Sequence, residues 1–282
     1  MTAPAAADEN LLGYVRGAET LPRGSHEIYQ WLTSRTDKGA GHYRGLDSKT
    51  EYEYGVTDRF SVAADLKMQS VTTSGLVIDG YLPGPMDGGF RLSGVEAGVK
   101  YNFLSPARDA IGLSMYSALA YNRLDPHSGR DKEAISLEGG VLLQKYFMEG
   151  QLVWVANLGT EATHAVRGAI ANLPAGFEWP TDPEIEWEWL VGSGASYRFA
   201  PNWYVGFEWI YETEFETEVG QERWSVFAGP SLHYGTARWW ATLSWLPQIS
   251  GGGEQYPGQP DTGLHLIEKT EREIRLKFGF NF

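Results

Sequence analysis

The sequence predicts an all-β fold, a transmembrane antiparallel up-and-down β-barrel of about twelve strands. Three observations predict this fold. Apolar and charged residues alternate along the strands, the connections alternate between short and long, and aromatic residues cluster toward the strand ends. All three are expected of a barrel whose outer face meets lipid and whose inner face meets water.

The composition limits the class of protein. The chain has 282 residues, with 11 Trp, 15 Tyr, 12 Phe, 34 Gly and no Cys. A formal net charge of −13 argues against a nucleic-acid partner, because phosphate binding requires positive charge. The best apolar stretch, 110–121, is too short for a membrane helix, which needs about 18 to 20 apolar residues.

Residues 1–23 are predicted to be an N-terminal lead-in, and residues 24–282 form the barrel domain. Residues 1–7 resemble either the remnant of a signal-peptide cleavage region or an ordinary flexible tail. Residues 9–23 contain the apolar run 11–15. They are interpreted either as a plug or strap inside the barrel or as a disordered or periplasmic lead-in.

The strands are placed by following the alternation in chain order. The predicted ranges are 24–35, 47–56, 60–72, 92–103, 110–122, 133–147, 151–160, 184–199, 203–215, 222–234, 237–247 and 271–282. Successive side chains of a strand point to opposite faces, so each range has one apolar and one polar face. A soluble sandwich also alternates, but its core would have to accommodate Trp and Tyr from nearly every strand.

The connections predict the orientation. Those at 57–59, 104–109, 148–150, 200–202 and 235–236 are short and rich in Gly, Pro, Asn or Asp, which are turn residues. The intervening ones are mostly longer: 36–46, 73–91, 123–132, 161–183, 216–221 and 248–270. Short turns are typical of the periplasmic side, so an even strand number predicts two periplasmic termini. Loops 161–183 and 248–270 are expected to be solvated, with folding into the barrel mouth as the alternative.

The charged residues of the strands share the parity of the predicted inner face. The residues expected to line the lumen are Glu51, Glu53, Asp65, Lys67, Glu96, Lys100, Glu138, Glu186, Glu188, Glu208, Glu212, Arg238, Arg275 and Lys277. Opposed acidic and basic rows would select solutes by charge in an open pore. The alternative is that the charges pair across a filled barrel. Lys145 has the lipid-facing parity, but it lies beside a predicted turn, where its long side chain reaches the headgroups.

The C-terminal segment 275–282 resembles the closing strand of bacterial outer-membrane proteins. Phe278, Phe280 and the terminal Phe282 match its amphipathic pattern with a final aromatic residue. The resemblance implies that the barrel-assembly machinery recognises Phe282. It also implies a location in the outer membrane, in contact with lipid and lipopolysaccharide.

A narrower resemblance covers 10–38 and 50–60. These residues are similar to uncharacterised porin-like proteins of Proteobacteria and to MetA-pathway phenol-degradation-like proteins. This family implies no established substrate and carries no catalytic residues to transfer.

The predicted function is a channel for passive diffusion of small hydrophilic solutes, without enzymatic activity, cofactor or metal. One alternative is a non-conducting barrel with a filled lumen that has a structural or partner-binding role. The other is a lipid-modifying hydrolase, for which Ser231 and His233 are the candidate pair. Their parity places them on the lumen side, away from lipid, and no nucleophile-elbow or paired-histidine metal motif is present.

Overall fold

The computed structural model describes residues 10–77, 89–171, 173, 175, 179–216, 220–253 and 262–282. In these ranges the chain forms twelve strands: β1 (His26–Thr36), β2 (Ala40–Thr57), β3 (Phe60–Val77), β4 (Arg91–Leu104), β5 (Gly112–Leu124), β6 (Asp131–Phe147), β7 (Leu152–Arg167), β8 (Glu184–Ala200), β9 (Trp203–Glu216), β10 (Gly220–Gly235), β11 (Trp239–Gly253) and β12 (Arg272–Asn281). A single 3-10 turn, Met148–Gly150, lies between β6 and β7. No helix in the described ranges is long and apolar enough to span a membrane.

The sheet closes on itself. Each strand pairs antiparallel with its neighbours in the chain, and β1 pairs with β12, with Leu32 opposite Leu276. Closure leaves no unpaired strand edge, which is the condition for a sheet in contact with lipid. The predicted fold class and strand count are therefore confirmed.

The barrel has two different ends. The turn end carries the connections 58–59, 105–111, 148–151, 201–202 and 236–238, together with the start of β1 and the end of β12. The loop end carries the connections 37–39 and 125–130, together with the described parts of the other connections, 89–90, 168–171, 173, 175, 179–183 and 262–271. Because the strand number is even, residues 26 and 281 lie at the same end, and the backbone of His26 pairs with that of Phe282 there.

The strands extend further toward the loop end than the sequence predicted. β2 starts at Ala40, so the predicted loop 36–46 is wrong and the connection is only 37–39. β7 likewise continues to Arg167, into the predicted loop 161–183. Apolar alternation marks only the part of a strand that meets lipid, whereas backbone pairing continues above it in polar sequence.

The two faces of the wall differ as the parity predicted. Leu119, Leu137 and Phe280 point outward and are 58%, 59% and 52% exposed. Trp189 and Trp209 also belong to this outer face rather than to a dry core. Polar and charged side chains of the same strands point inward and are mostly buried. Their burial raises the question of what covers them inside the barrel.

Candidate functional site

The interior is crossed by the N-terminal segment. Residues 10–18, hereafter the plug, enter from the turn end, where the amides of Leu21 and Arg23 donate to Ser61 and Asp58. The plug reaches its apex near Tyr14 and then turns back, since Asn10 contacts Lys277 while Tyr14 contacts Glu273 of the same strand. Of the predicted lead-in 9–23, residues 10–18 lie inside the barrel, whereas residue 9 is outside the described residues.

Glu208 of β9 anchors the apex of the plug. Its carboxylate is fully buried and accepts backbone N–H groups from Gly13 (2.9 Å), Tyr14 (2.8 Å) and Val15 (3.0 Å). Ser244 of β11 donates a fourth hydrogen bond of 2.7 Å. A buried carboxylate needs such donors to offset the loss of its hydration. The strand alternation predicts that Glu208 faces inward, but it does not predict these partners.

Side-chain amides of the wall hold the rest of the plug backbone. Asn157 of β7 accepts from the Arg16 amide (2.7 Å) and donates to the Arg16 carbonyl (2.9 Å). The Ala18 amide donates to Gln144 (2.7 Å), and the Ala18 carbonyl accepts from Asn102 (2.8 Å). These bonds replace those that a strand partner would supply, so every anchored peptide group is satisfied inside the lumen.

An apolar cluster packs the plug against one side of the barrel. It consists of Leu11, Leu12 and Val15 of the plug with Val153, Val155, Ile210, Phe227 and Leu246 of the wall. Glycines in the wall make room for it: a Cβ at Gly194 or Gly206 would lie 2.4 or 2.7 Å from a Leu12 methyl carbon. Inward-facing apolar residues on β7, β9, β10 and β11 therefore match the plug rather than a solvated pore.

The loop end is narrowed by residues 262–270, hereafter the mouth segment. The Gln248 side chain donates to the carbonyls of His265 (2.9 Å) and Thr270 (3.0 Å) and accepts the His265 amide (2.6 Å). Lys269 then forms an ion pair of 2.7 Å with Glu212. This part of loop 248–270 thus follows the alternative of folding into the mouth, not the expectation of a solvated loop.

Two side chains of the mouth segment, His265 and Glu268, have pKa values shifted by their surroundings. It lowers the pKa of the His265 imidazole to about 4, so this side chain is neutral at neutral pH. For Glu268, burial opposes ionisation, but attraction by Arg223 outweighs it and lowers the pKa. Arg223 contacts Glu268 and Glu214 directly and lies 3.9 Å from Glu188.

Cavities of different sizes remain around the plug. The turn-end vestibule has a volume of about 1130 Å³ and is lined by Arg108, Gln151 and Arg198 among others. The loop-end vestibule has about 420 Å³. Between them, a waist cavity of about 60 Å³ lies against β2–β5. The plug thus interrupts the lumen between the two vestibules.

Thirteen of the fourteen predicted lumen residues lie on the inner face. These are Glu51, Glu53, Asp65, Lys67, Glu96, Lys100, Glu138, Glu186, Glu188, Glu208, Glu212, Arg275 and Lys277. The prediction for Arg238 is wrong. It lies in the exposed connection 236–238, because β11 starts only at Trp239. The Thr236 hydroxyl stabilises this turn by accepting hydrogen bonds from the amides of residues 238 and 239.

Charges on the inner face pair locally instead of forming two opposed rows. Lys49 lies 2.8 Å from Asp65 and 2.9 Å from Glu51, and Lys67 lies 2.6 Å from Glu96. Lys49 was not among the predicted lumen residues, although its odd position in β2 gives it the parity of Glu51. Arg16 and Asn157 were also missed, because only the position of the plug gives them a role.

Two groups of three carboxylates are close enough to hold a cation: Glu184, Glu186 and Glu216, and Glu214, Glu222 and Glu268. Basic side chains already compensate them. Lys132 lies 2.6 Å from Glu186, Arg167 lies 3.2 Å from Glu184, and Arg223 contacts the second group. We therefore interpret both groups of carboxylates as parts of ion-pair networks on the inner face.

The candidate hydrolase pair also faces inward. Ser231 and His233 are 4% and 1% exposed, and the His233 Nδ1 atom lies 2.7 Å from the Thr242 hydroxyl. Their positions in the alternating pattern of β10 predicted this inner side, which faces away from lipid.

Solved structures share this architecture. The COG4313 outer-membrane channel of Pseudomonas putida F1 superposes with a TM-score of 0.57 at 13% identity, covering 94% of this chain and 98% of that one. The β-domain of the Bordetella autotransporter BrkA gives 0.56 at 11% identity, covering 92% and 100%. The translocator domain of the autotransporter NalP from Neisseria meningitidis gives 0.50 at 15% identity, covering 91% and 88%.

At these identities the likeness establishes the fold, which is that of bacterial outer-membrane barrels, as the closing strand indicated. The narrower resemblance to MetA-pathway proteins stays a prediction. No curated protein matches the sequence. A family model described as a family of unknown function, DUF6662, matches residues 4–282. Since this match covers nearly all of a chain that folds as one closed barrel, the chain belongs to the DUF6662 family.

Proposed function

We propose that the protein is an outer-membrane channel for small hydrophilic solutes and that the described state is closed by the plug. The observation that carries the proposal is the arrangement of the lumen. Two vestibules of about 1130 and 420 Å³ lie on either side of a segment that is held by noncovalent contacts. The likeness to the COG4313 outer-membrane channel supports the same role.

The plug is suited to act as a gate, because on both sides of its apex the described chain runs toward the same turn end of the barrel. Its withdrawal therefore requires no break in the wall. Solutes would then diffuse down their gradient, selected by lumen width and by the charges of the inner face. No chemical step is part of this proposal.

The proposed orientation places the turn end in the periplasm, since short turns occupy that side in outer-membrane barrels. Both ends of the barrel domain then lie in the periplasm, and the outer face contacts lipid and lipopolysaccharide. Phe282, which is 69% exposed next to His26, is available for recognition by the barrel-assembly machinery.

Planar-bilayer conductance tests the proposal. The full chain is expected to remain mostly closed, whereas a variant lacking residues 10–18 gives stable conductance steps. Glu208→Gln, which removes the charge that binds three plug amides, is expected to raise the open fraction several-fold. The control is Glu149→Gln in the exposed turn 148–151, which should conduct like the full chain.

The second candidate is a non-conducting barrel, which the buried plug favours. If the variant without residues 10–18 folds into a barrel, as judged by circular dichroism, but never conducts, the channel proposal is wrong. The filled lumen is then a permanent part of the structure.

A further inference from the structure

Arg16, near the apex of the plug, presents its side chain to the wall much as a bound ligand would. Its backbone is fixed on both sides by Asn157. Its guanidinium lies over the Tyr116 ring, 5.1 Å from the centroid, and 5.8 Å from the centroid of Trp31. These distances are within the range of cation–π attraction.

A carboxylate completes the surroundings of the guanidinium. Glu51 and Glu96 line the waist cavity together with Arg16 and Tyr116, and the carboxylate of Glu138 lies next to that tyrosine. The Tyr116 hydroxyl donates a hydrogen bond of 2.7 Å to Glu138. The same tyrosine therefore offers its ring to the cation and holds the carboxylate in place.

The wall is shaped around this tyrosine. A Cβ at Gly140 would lie 2.7 Å from a Tyr116 ring carbon, and one at Gly159 would lie 2.9 Å from its hydroxyl oxygen. A larger residue at either position would therefore require the tyrosine to move. The ring and the carboxylate belong to the strands and do not depend on the plug, so they remain when the plug leaves.

Arg16 and the side chains around it lie at the boundary between two cavities of the lumen. Arg16 lines both the loop-end vestibule and the waist cavity, so it separates two spaces of the proposed pathway. Trp31 is shared with wall cations, since Lys49 and Lys277 lie 4.4 and 4.3 Å from its ring centroid. Tyr116 and Glu138 are therefore the main part of the group that Arg16 occupies.

We propose that Tyr116 and Glu138, with Trp31 beside them, form a binding site for organic cations of the guanidinium or alkylammonium class, which Arg16 fills in the closed state. An aromatic face next to a carboxylate is a general means of recognising such cations. This inference rests on the proposed function for its role in transport, because it names the class of solute. Binding itself, however, is measurable without conductance.

Chemical rescue is the first test. In Arg16→Ala the plug backbone keeps its anchors but the site is vacant. Millimolar ethylguanidinium is expected to raise the Tm of this variant in detergent, whereas the neutral analogue ethylurea has no effect. The full chain and the control Arg23→Ala, which removes an exposed arginine at the turn end, should not respond. An equal response of all three proteins to ethylguanidinium would overturn the proposal.

Direct binding is the second test and does not need the plug. Isothermal titration of argininamide into the variant lacking residues 10–18 is expected to show saturable binding that the full chain lacks. Adding Glu138→Gln should weaken it about tenfold or more, as expected for a partly desolvated cation site. Glu133→Gln, on the outer face of the same strand, is the matched control and should bind unchanged.

The two proposals fail in different ways. If argininamide does not bind, or binds equally well after Glu138→Gln, the cation site is wrong even where the variant conducts. If it binds to a barrel that never conducts, the site stands and the channel proposal fails.

Discussion

At the scale of single residues, the role of a charged side chain on the inner face depends on the residues that it contacts. Glu208 and Glu212 lie on the same face of the same strand, and the sequence treats them alike. The structure assigns Glu208 to the plug backbone and Glu212 to Lys269 of the mouth segment. Parity specifies the side of the wall on which a residue lies, whereas its role depends on a segment distant in the sequence.

Lys38, in the connection between β1 and β2, gives a prediction at this scale. It is only 1% exposed, and its ammonium lies 4.7 Å from the centroid of the Tyr43 ring. Burial is the main cause that lowers its pKa to about 7, and the charge of Arg35 adds to it. The unfolded chain holds this proton up to about pH 10.5, so the stability of the folded protein rises with pH between about 7 and 10.5.

Lys38→Met removes this titration. The variant is expected to have a higher Tm than the parent at pH 7, and the gain should shrink toward pH 10, where the parent lysine is neutral when folded. Thermal unfolding in detergent at both pH values measures it, with Arg23→Met as the control. A gain that is the same at pH 7 and pH 10 would contradict the lowered pKa.

At the scale of elements, the strands were predictable and the two inserted segments were not. Each strand carries its own alternating pattern, so all twelve were located from the sequence with errors mainly at the loop end. The plug and the mouth segment have no period of their own. Their positions depend on side chains such as Asn157 and Gln248, which contact them across the lumen.

The mouth segment gives a prediction at this scale. Gln248→Leu keeps the size of the side chain but removes three hydrogen bonds to the backbone of His265 and Thr270. At about 1 kcal/mol each, their loss is expected to raise the open population of the segment about 100-fold. Trypsin should then cleave after Lys269 much faster than in the parent protein.

Gln151→Leu is the matched control for this experiment, because Gln151 lies at the turn end, far from the mouth segment. Unchanged cleavage after Lys269 in Gln248→Leu would contradict this prediction and show that the ion pairs of Glu268 and Lys269 hold the segment without these bonds.

At the scale of the whole molecule, the barrel is an inverted arrangement in which apolar residues cover the outside and charges fill the inside. Leu137 lies on the outer face of β6 and is 59% exposed. Glu133, four residues closer to the loop end, shares that face. Comparing the effect of a charge on the free energy of unfolding at these two positions tests where the lipid-facing part of the strand begins.

Leu137→Arg is expected to lower the free energy of unfolding from lipid vesicles by about 2–4 kcal/mol, because it places a charge near the middle of the bilayer. Glu133→Arg should change it by about 0–1 kcal/mol, as expected near the interface. Equal effects at the two positions, measured by reversible urea unfolding, would mean that the outer face is not embedded as proposed.

The sequence by itself determined the strands, the closed antiparallel barrel and the inner parity of thirteen of fourteen charged residues, because strand alternation is a local property that each segment shows alone. The alternation did not predict the residues at strand ends correctly, as Arg238 illustrates, because the pattern stops where a strand becomes a turn. Only the tertiary structure decided that the lumen is interrupted. That outcome depends on contacts such as Glu208 with Gly13, which are separated by 195 residues and leave no periodic trace in the sequence.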